Sequence, residues 1–508
     1  MSISRFLIVM IITLASADTG AEGIIVSLKS SARAKEFDLY AEELGLQKKF
    51  ESLNLRVVSY HSKIKGKKII CELVKNHSAV EFCELNEKTK THQELCHPDP
   101  SENLAVLEDV ITNIMPQVCE LLPRSPRYPT LRSDLSPFWA QEYTGSDLVR
   151  KELEVSRPWP GDRENNVLIL DIVAPSYPHG TLVSNLISSP HSSATIPGPL
   201  NPVRIARYNE DYIEQHTQIT QLSPAPRYIN NSMYWSGSYI VQRVFRDFAA
   251  NGIVSVVAAG NSGVEDPVDP VKTEMADHLV IVGSTDPLGI VSTFSQFSTE
   301  VVVTAPSNLE VLSHDGEKFI NFSGTSGATP QVTAALAAFS LISGHTLTVD
   351  QAKNLLRNTA IKLPHSYSTP QVHGVGSLNT YQVTAIAKRA YHECGSQNDS
   401  SQRTECFNRF LQQRETYSET ISDISSVQET FPECFSRRST GIPISCDIRR
   451  LELERLRKAA FLNPSNHLLW SAIACIHHSD GLHQNAKFYE LLSMSTTKER
   501  FTESVRSK

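Results

Sequence analysis

No cysteine occurs between Cys119 and Cys394, so the middle of this chain can hold no disulfide. Nowhere is there a close Cys-x-x-Cys pair, the usual start of a structural zinc site. Excess positive charge is missing as well. A formal net charge of −7 leaves no basic footprint for nucleic acid, which is therefore not an expected partner. Beyond the first residues no apolar run is long enough to cross a bilayer, so no membrane span is expected in the mature form.

What is present points to a large exported protein. At 508 residues the chain should divide into roughly two to four folded units, and 40% apolar with 20% charged residues is ordinary for such units. "MSISR", the apolar "FLIVMIITLA" and the small residues Ala15–Ala17 read as a secretory signal over 1–17. A membrane anchor is the competing reading, but the run is too short to span. The expected location is secreted or periplasmic. Cysteines cluster at the two ends: Cys71, Cys83, Cys96 and Cys119, then Cys394, Cys406, Cys434, Cys446 and Cys475. Export makes disulfides plausible there. Cys394/Cys406 and Cys434/Cys446 share one spacing, but pairing stays open and the odd count leaves one thiol over.

Residues 23–95 alternate strand and helix patterns. "GIIVSLK" reads as a strand, "SARAKEFDLYAEELGL" as a helix, "RVVSYHS" and "KKIICELV" as strands, and "HSAVEFCEL" as a short closing helix or strand. That is the β-α-β-β-α-β order of a ferredoxin-like unit. An amphipathic helix and a Pro/Arg-rich linker fill 96–138. From 139 to 392 short apolar runs bounded by turn residues, "NNVLILD", "VRIARY", "RYINNSM", "IVSVVAAG", "LVIVGS" and "VVVTAP", look like buried parallel strands of a doubly wound α/β domain. From 393 to 508 only helical patterns remain. Pro464, Trp470 and Ala486 resemble one tetratricopeptide repeat, a unit that cannot bury its own face alone.

Chemistry concentrates in "INFSGTSGATPQVTAALAAFSLISG". A Gly-Thr-Ser turn runs into an apolar helix, which would point unpaired N–H groups at Ser326. That suits a nucleophile whose adduct carries an oxyanion; a plain N-cap serine is the simpler reading. Gly324 and Gly327 let the chain turn, and Pro330 is expected in the first helical turn. "GTSGATP" closely resembles the nucleophile motif of the subtilisin-like serine proteases, the subtilases. "VSVVAAGNSG" is similar to that family's strand ending in an oxyanion-stabilising asparagine. The resemblance implies Asn261 as the oxyanion donor and Ala258, Ala259 and Gly260 as walls of the primary specificity pocket. "RYINNSMYWSG" resembles the family's strand that pairs with extended peptide, implying Ser232, Met233 and Tyr234 as pairing residues.

Family order then gives a place to "DIVAPSYPHG". Asp171 ends a buried strand, and His179-Gly180-Thr181 opens a helix, as the aspartate and histidine of the triad do. The resemblance implies His179 as general base and Asp171 as its orienter. Here the two are far closer in sequence than is usual in the family. Eight extended steps still span about 28 Å, so reach is no obstacle, and the lost strand would lie at the sheet's edge. "SSPHSSATIPGPL" contains no carboxylate, so structural calcium is unsupported there and no cofactor is expected.

The expectation is thus a subtilisin-like doubly wound, mostly parallel sheet with helices on both faces, an N-terminal ferredoxin-like α+β pro-domain and an α-helical C-terminal region. Its function would be that of a secreted serine endopeptidase made with an inhibitory pro-region. The implied partners are polypeptide substrates, the chain's own pro-region as intramolecular inhibitor, and a protein docked on the C-terminal helices. A non-catalytic peptide-binding relative and a helical adaptor are the rival readings. Formal glycosylation sequons stand at Asn230 and Asn321.

Overall fold

The computed structural model describes residues 23–30, 33–52, 55–61, 67–86, 139–155, 167–171, 178–189, 194, 196–197, 204–207, 212–233, 238–263, 275–363, 374–395, 400–412, 446–479, 482 and 484–493. The signal segment, the helix and linker over 96–138, Tyr234 and Cys434 lie outside them.

The N-terminal unit comprises β1 (Gly23–Leu28), α1 (Ala34–Glu43), β2 (Gln47–Ser52), β3 (Val57–His61), α2 (Lys67–Lys75) and β4 (Val80–Asn86). Its strands form an antiparallel sheet in the order β2-β3-β1-β4. Phe37, Val58, Tyr60, Ile70 and Val74 close a core between sheet and helices. Two assignments are corrected. "KKIICELV" forms helix α2 rather than a strand, and the missing strand is "QKKFES". That strand is an edge, mostly exposed or half-buried, so it carries little apolar signal. "VEFCELN" closes the unit as β4, and a disulfide between Cys71 and Cys83 ties α2 to it.

The α/β unit opens with α3 (Trp139–Thr144) and α4 (Ser146–Val155), then builds β5 (Val167–Asp171), α5 (His179–Ile187), the short β6 (Ser188–Ser189) and β7 (Ile196–Pro197), and β8 (Arg204–Arg207). It continues through α6 (Tyr212–Thr220), β9 (Tyr228–Asn231), α7 (Tyr239–Ala250), β10 (Val254–Ala258), β11 (Leu279–Thr285) and β12 (Val301–Pro306). Six of these strands form one all-parallel sheet in the order β12-β11-β10-β9-β5-β8, and β6 pairs separately with β7. Strands β5, β9, β10 and β12 are buried end to end, as expected of a sheet covered on both faces. Strand order reverses between β5 and β9, so β5-α5-β8 is a simple crossover at the edge.

A hairpin, β13 (Leu309–Leu312) with β14 (Phe319–Phe322), leads into α8 (Thr325–Ser343). Every residue of α8 is buried, and its run of alanines lets it lie close against the sheet. Tyr228 on β9 meets Ser340 of α8 at 2.5 Å. On the opposite face α6 and α7 pack Ile213, Val244, Phe245 and Phe248 against Leu168, Leu170 and Ile229. Pro330 falls in the second turn of α8, not the first, because the helix begins at Thr325.

After α9 (Val349–Thr359) and α10 (Thr380–Cys394) come α11 (Ser400–Gln412), α12 (Cys446–Leu462), α13 (His467–Ser479) and a further helical segment over 484–493. A disulfide joins Cys394 to Cys406. Leu456, Phe461, Trp470, Phe488 and Tyr489 lie in one continuous apolar core with α3, α8 and the sheet. Arg457 forks onto Asp147 with two 2.8 Å bonds and donates to the Glu142 carbonyl at 2.7 Å. Burial alone would lower the Arg457 guanidinium, but the Asp147 carboxylate outweighs it and holds the group above its ordinary range. Gly145 takes a positive φ of 70°, and a side chain there would strike Tyr381 and Phe461. The α3–α4 turn is thus closed directly against α12.

Candidate active site

Asp171 is the last residue of β5 and is fully buried. His179 is the first residue of α5. Its Nδ1 lies 2.7 Å and 2.9 Å from the two Asp171 carboxylate oxygens, so an N–H there donates to both. The link is short in sequence yet the pair meets, because β5 ends where α5 begins beside it. Phe322 packs its ring edge-on to the imidazole at 5.3 Å and 65°. Asn185, farther along α5, donates to the Leu312 carbonyl at 2.9 Å, which fastens the histidine's helix to β13.

Ser326 stands in the first turn of α8, after Gly324 with φ 88°. That glycine is required twice over. A side chain would be strained at this φ, and its Cβ would come within 2.9 Å of Asn261 Nδ2. Asn261 lies just past β10, after Gly260 with φ 114°. Its Oδ1 accepts from Thr325 N–H at 2.8 Å and from the Thr325 hydroxyl at 2.9 Å. With the oxygen engaged, the NH2 end of the amide is turned toward the Gly324 turn. The Thr325 hydroxyl also accepts from Gly260 N–H at 3.2 Å. These bonds lock the strand exit bearing Asn261 to the helix start bearing Ser326.

Ser326 Oγ donates to the Ser232 carbonyl at 3.0 Å. Ser232 and Met233 are buried immediately after β9, and Ala258 and Ala259 are buried at the end of β10. Asp171, Ser232, Asn261 and Ser326 therefore collect at the carboxyl ends of adjacent strands and at the start of α8. That is where open α/β sheets place their ligands.

Several residues of this constellation carried no sequence signal of their role. Thr325 was visible only as a letter of the motif, and its bonds to Asn261 need the fold. Gln331 donates to the Pro306 carbonyl at 2.6 Å and to Gly327 O at 2.9 Å, pinning α8 to the end of β12. Phe322 reaches His179 only through the β13–β14 hairpin. The two sequons part ways. Asn230 is buried with both ends of its amide bonded, whereas Asn321 is exposed on β14.

The parallel sheet thus carries a carboxylate-anchored histidine just beyond β5 and a buried serine at the start of α8. Residues 178–398 match the model of the subtilase family. Subtilisin DY of Bacillus licheniformis is 32% identical over 145 residues, which is 28% of this chain and 51% of that protein. Alkaline elastase YaB of Bacillus sp. (strain YaB) is 32% identical over 149 residues, 29% of this chain and 37% of that one. The chain thus spans about half or less of the relatives it matches. Among solved structures, the epidermin leader peptide processing serine protease EpiP of Staphylococcus aureus aligns with a TM-score of 0.47 and 16% identity, covering 74% of this chain and 99% of that one. That family match covers less than half of the chain, so the likeness to subtilases is one of residues 178–398. The matched span begins directly before His179 and includes Asn261 and Ser326, while Asp171 lies just upstream of it.

Proposed function

We propose that this protein is a secreted serine endopeptidase that hydrolyses peptide bonds through an acyl-enzyme. The reading is carried by the contact of His179 Nδ1 with the Asp171 carboxylate at 2.7 Å, in a chain whose serine and asparagine motifs are those of subtilases. His179, held in one tautomer by Asp171, takes the Ser326 proton on its other ring nitrogen as Ser326 Oγ attacks the scissile carbonyl. The tetrahedral oxyanion is met by the Asn261 side-chain NH2 and the Ser326 backbone N–H. His179 then gives the proton to the leaving amine. Water, deprotonated by the same histidine, releases the acid and restores Ser326.

An extended substrate is held by pairing along Ser232, Met233 and Tyr234, with its primary side chain beside Ala258, Ala259 and Gly260. The N-terminal ferredoxin-like unit acts as an inhibitory pro-region. Glu84 on β4 supports this docking: it accepts from Ser238 Oγ at 2.6 Å and from Ile240 N–H at 3.3 Å. A carboxylate is thereby held at the positive end of α7. Arg243 on α7 binds Ser27 and also reaches Glu81 at 3.3 Å.

A fluorophosphonate probe and a casein-type peptide substrate test the reading on the processed protein. The expected result is covalent labelling and peptide cleavage, both abolished in Ser326→Ala. Labelling that survives Ser326→Ala, or no labelling of the wild type, contradicts it.

A further inference from the structure

The peptide unit following Ser326 has an unusual need. In an α-helix its carbonyl would accept from the N–H of the residue four positions on, but that residue is Pro330, which has none. The carbonyl is buried, and a buried acceptor left unmet is costly. Ser232 supplies the donor: its Oγ donates to Ser326 O at 3.2 Å. The favour is returned, since Ser326 Oγ donates to Ser232 O at 3.0 Å. Two serines from the end of β9 and the start of α8 therefore exchange a reciprocal pair of hydrogen bonds.

This pair is backed by a second rank. Asn230 Nδ2 donates to Ser232 Oγ at 3.0 Å, which commits the Ser232 proton to the Ser326 carbonyl. Asn230 Oδ1 in turn accepts from Thr333 Oγ1 at 2.9 Å. Ser232 is 4% exposed and Asn230 and Thr333 are fully buried, so water does not compete for these bonds. The Thr333 hydroxyl also lies 3.1 Å from the Thr329 carbonyl, so its one proton is shared between that acceptor and Asn230. By contrast Ser255, buried on neighbouring β10, leaves its hydroxyl without any partner. Mere burial of a serine in this sheet does not enforce a network. The one built on Ser232 ends on the nucleophile.

We propose that Ser232 is a positioning residue for the nucleophile. Its hydroxyl takes the place of the helical N–H that Pro330 lacks, and its carbonyl holds the Ser326 hydroxyl at rest. Asn230 and Thr333 keep it in place from behind. The inference rests on the endopeptidase reading above, in which Ser326 is the attacking group. Side-chain changes at Ser232 then act on the chemical step, because the backbone that would pair with substrate is untouched.

The test compares Ser232→Ala, Ser232→Thr and Ser255→Ala in the full-length, processed protein, reading kcat, KM, the fluorophosphonate labelling rate and Tm. Misplacing a reacting group slightly is expected to lower kcat and labelling about tenfold in Ser232→Ala, with KM within about twofold. Ser232→Thr keeps the hydroxyl and is expected to recover to within about threefold, while Ser255→Ala leaves kcat, KM and the labelling rate unchanged and, by removing an unmet buried hydroxyl, does not lower Tm. Thr333→Val preserves shape, removes the last link, and is expected to give a smaller loss of kcat in the same direction. Wild-type labelling rates in both Ser232→Ala and Thr333→Val, a loss confined to KM, or no recovery in Ser232→Thr overturns the proposal alone. A wild type that never labels overturns the endopeptidase reading and this inference with it.

Discussion

The N-terminal sheet keeps a core of its own, with Phe37, Val58, Tyr60 and Ile70 packed among themselves. It meets the α/β unit through a small apolar contact at Ile25, Leu55 and Val57 and through Glu84, Ser27 and Glu81. The C-terminal helices are built the other way. Phe461, Trp470 and Tyr489 share the core of the α/β unit, Asn379 donates to the Phe461 carbonyl at 2.9 Å, and Tyr143 stacks on Phe488 at 3.6 Å. A unit with its own core can leave by opening only its contact face, here the apolar cluster at Ile25, Leu55 and Val57. One that completes another unit's core cannot.

The largest effect that would break this contrast comes from removing residues 446–508. The remaining chain is expected to lose its cooperative thermal transition, since α3, α4 and α10 would expose apolar faces. A truncated protein that is soluble, with an unchanged Tm and intact labelling, would instead make the C-terminal helices a separable docking module. A milder probe is Arg457→Ala, which strands the Asp147 carboxylate. It is expected to cost about 3 kcal/mol in urea unfolding, and an effect near zero would show that the buried pair does not brace the C-terminal helices. The smallest effect is expected at the N-terminal contact. Glu84→Gln should weaken inhibition of the processed enzyme by a separately added 23–86 fragment about tenfold, the scale of one charge-assisted hydrogen bond. Unaltered inhibition would remove Glu84 from the docking surface.

Much of the sheet was legible because buried parallel strands are short apolar runs with turn residues at each end, and β5, β10, β11 and β12 are of this kind. Strand β2 was missed for the opposite reason: an exposed edge needs no apolar face. The nine residues of α2 were read as a strand because so short a run does not fix its own period. At the candidate site, each motif named its own residue, so Asp171, His179, Asn261 and Ser326 could be picked out one at a time. What joins them could not. Thr325 to Asn261, Ser232 to Ser326 and Asn230 to Thr333 are contacts across 64, 94 and 103 positions, set by how β9, β10 and α8 converge. The same holds for Arg457 and Asp147, 310 positions apart.

The central claim is that a compressed Asp–His link still completes a working triad, and Asp171→Asn tests it most directly. Measured as kcat on a peptide substrate, with Ser326→Ala as the floor, the substitution should keep the fold but leave the histidine's tautomer unenforced. The expected loss is about 10⁴-fold, a size known from the equivalent change in an unrelated serine protease. A kcat within about tenfold of wild type would contradict the account, and Asp171 would then be only a buried acceptor for His179.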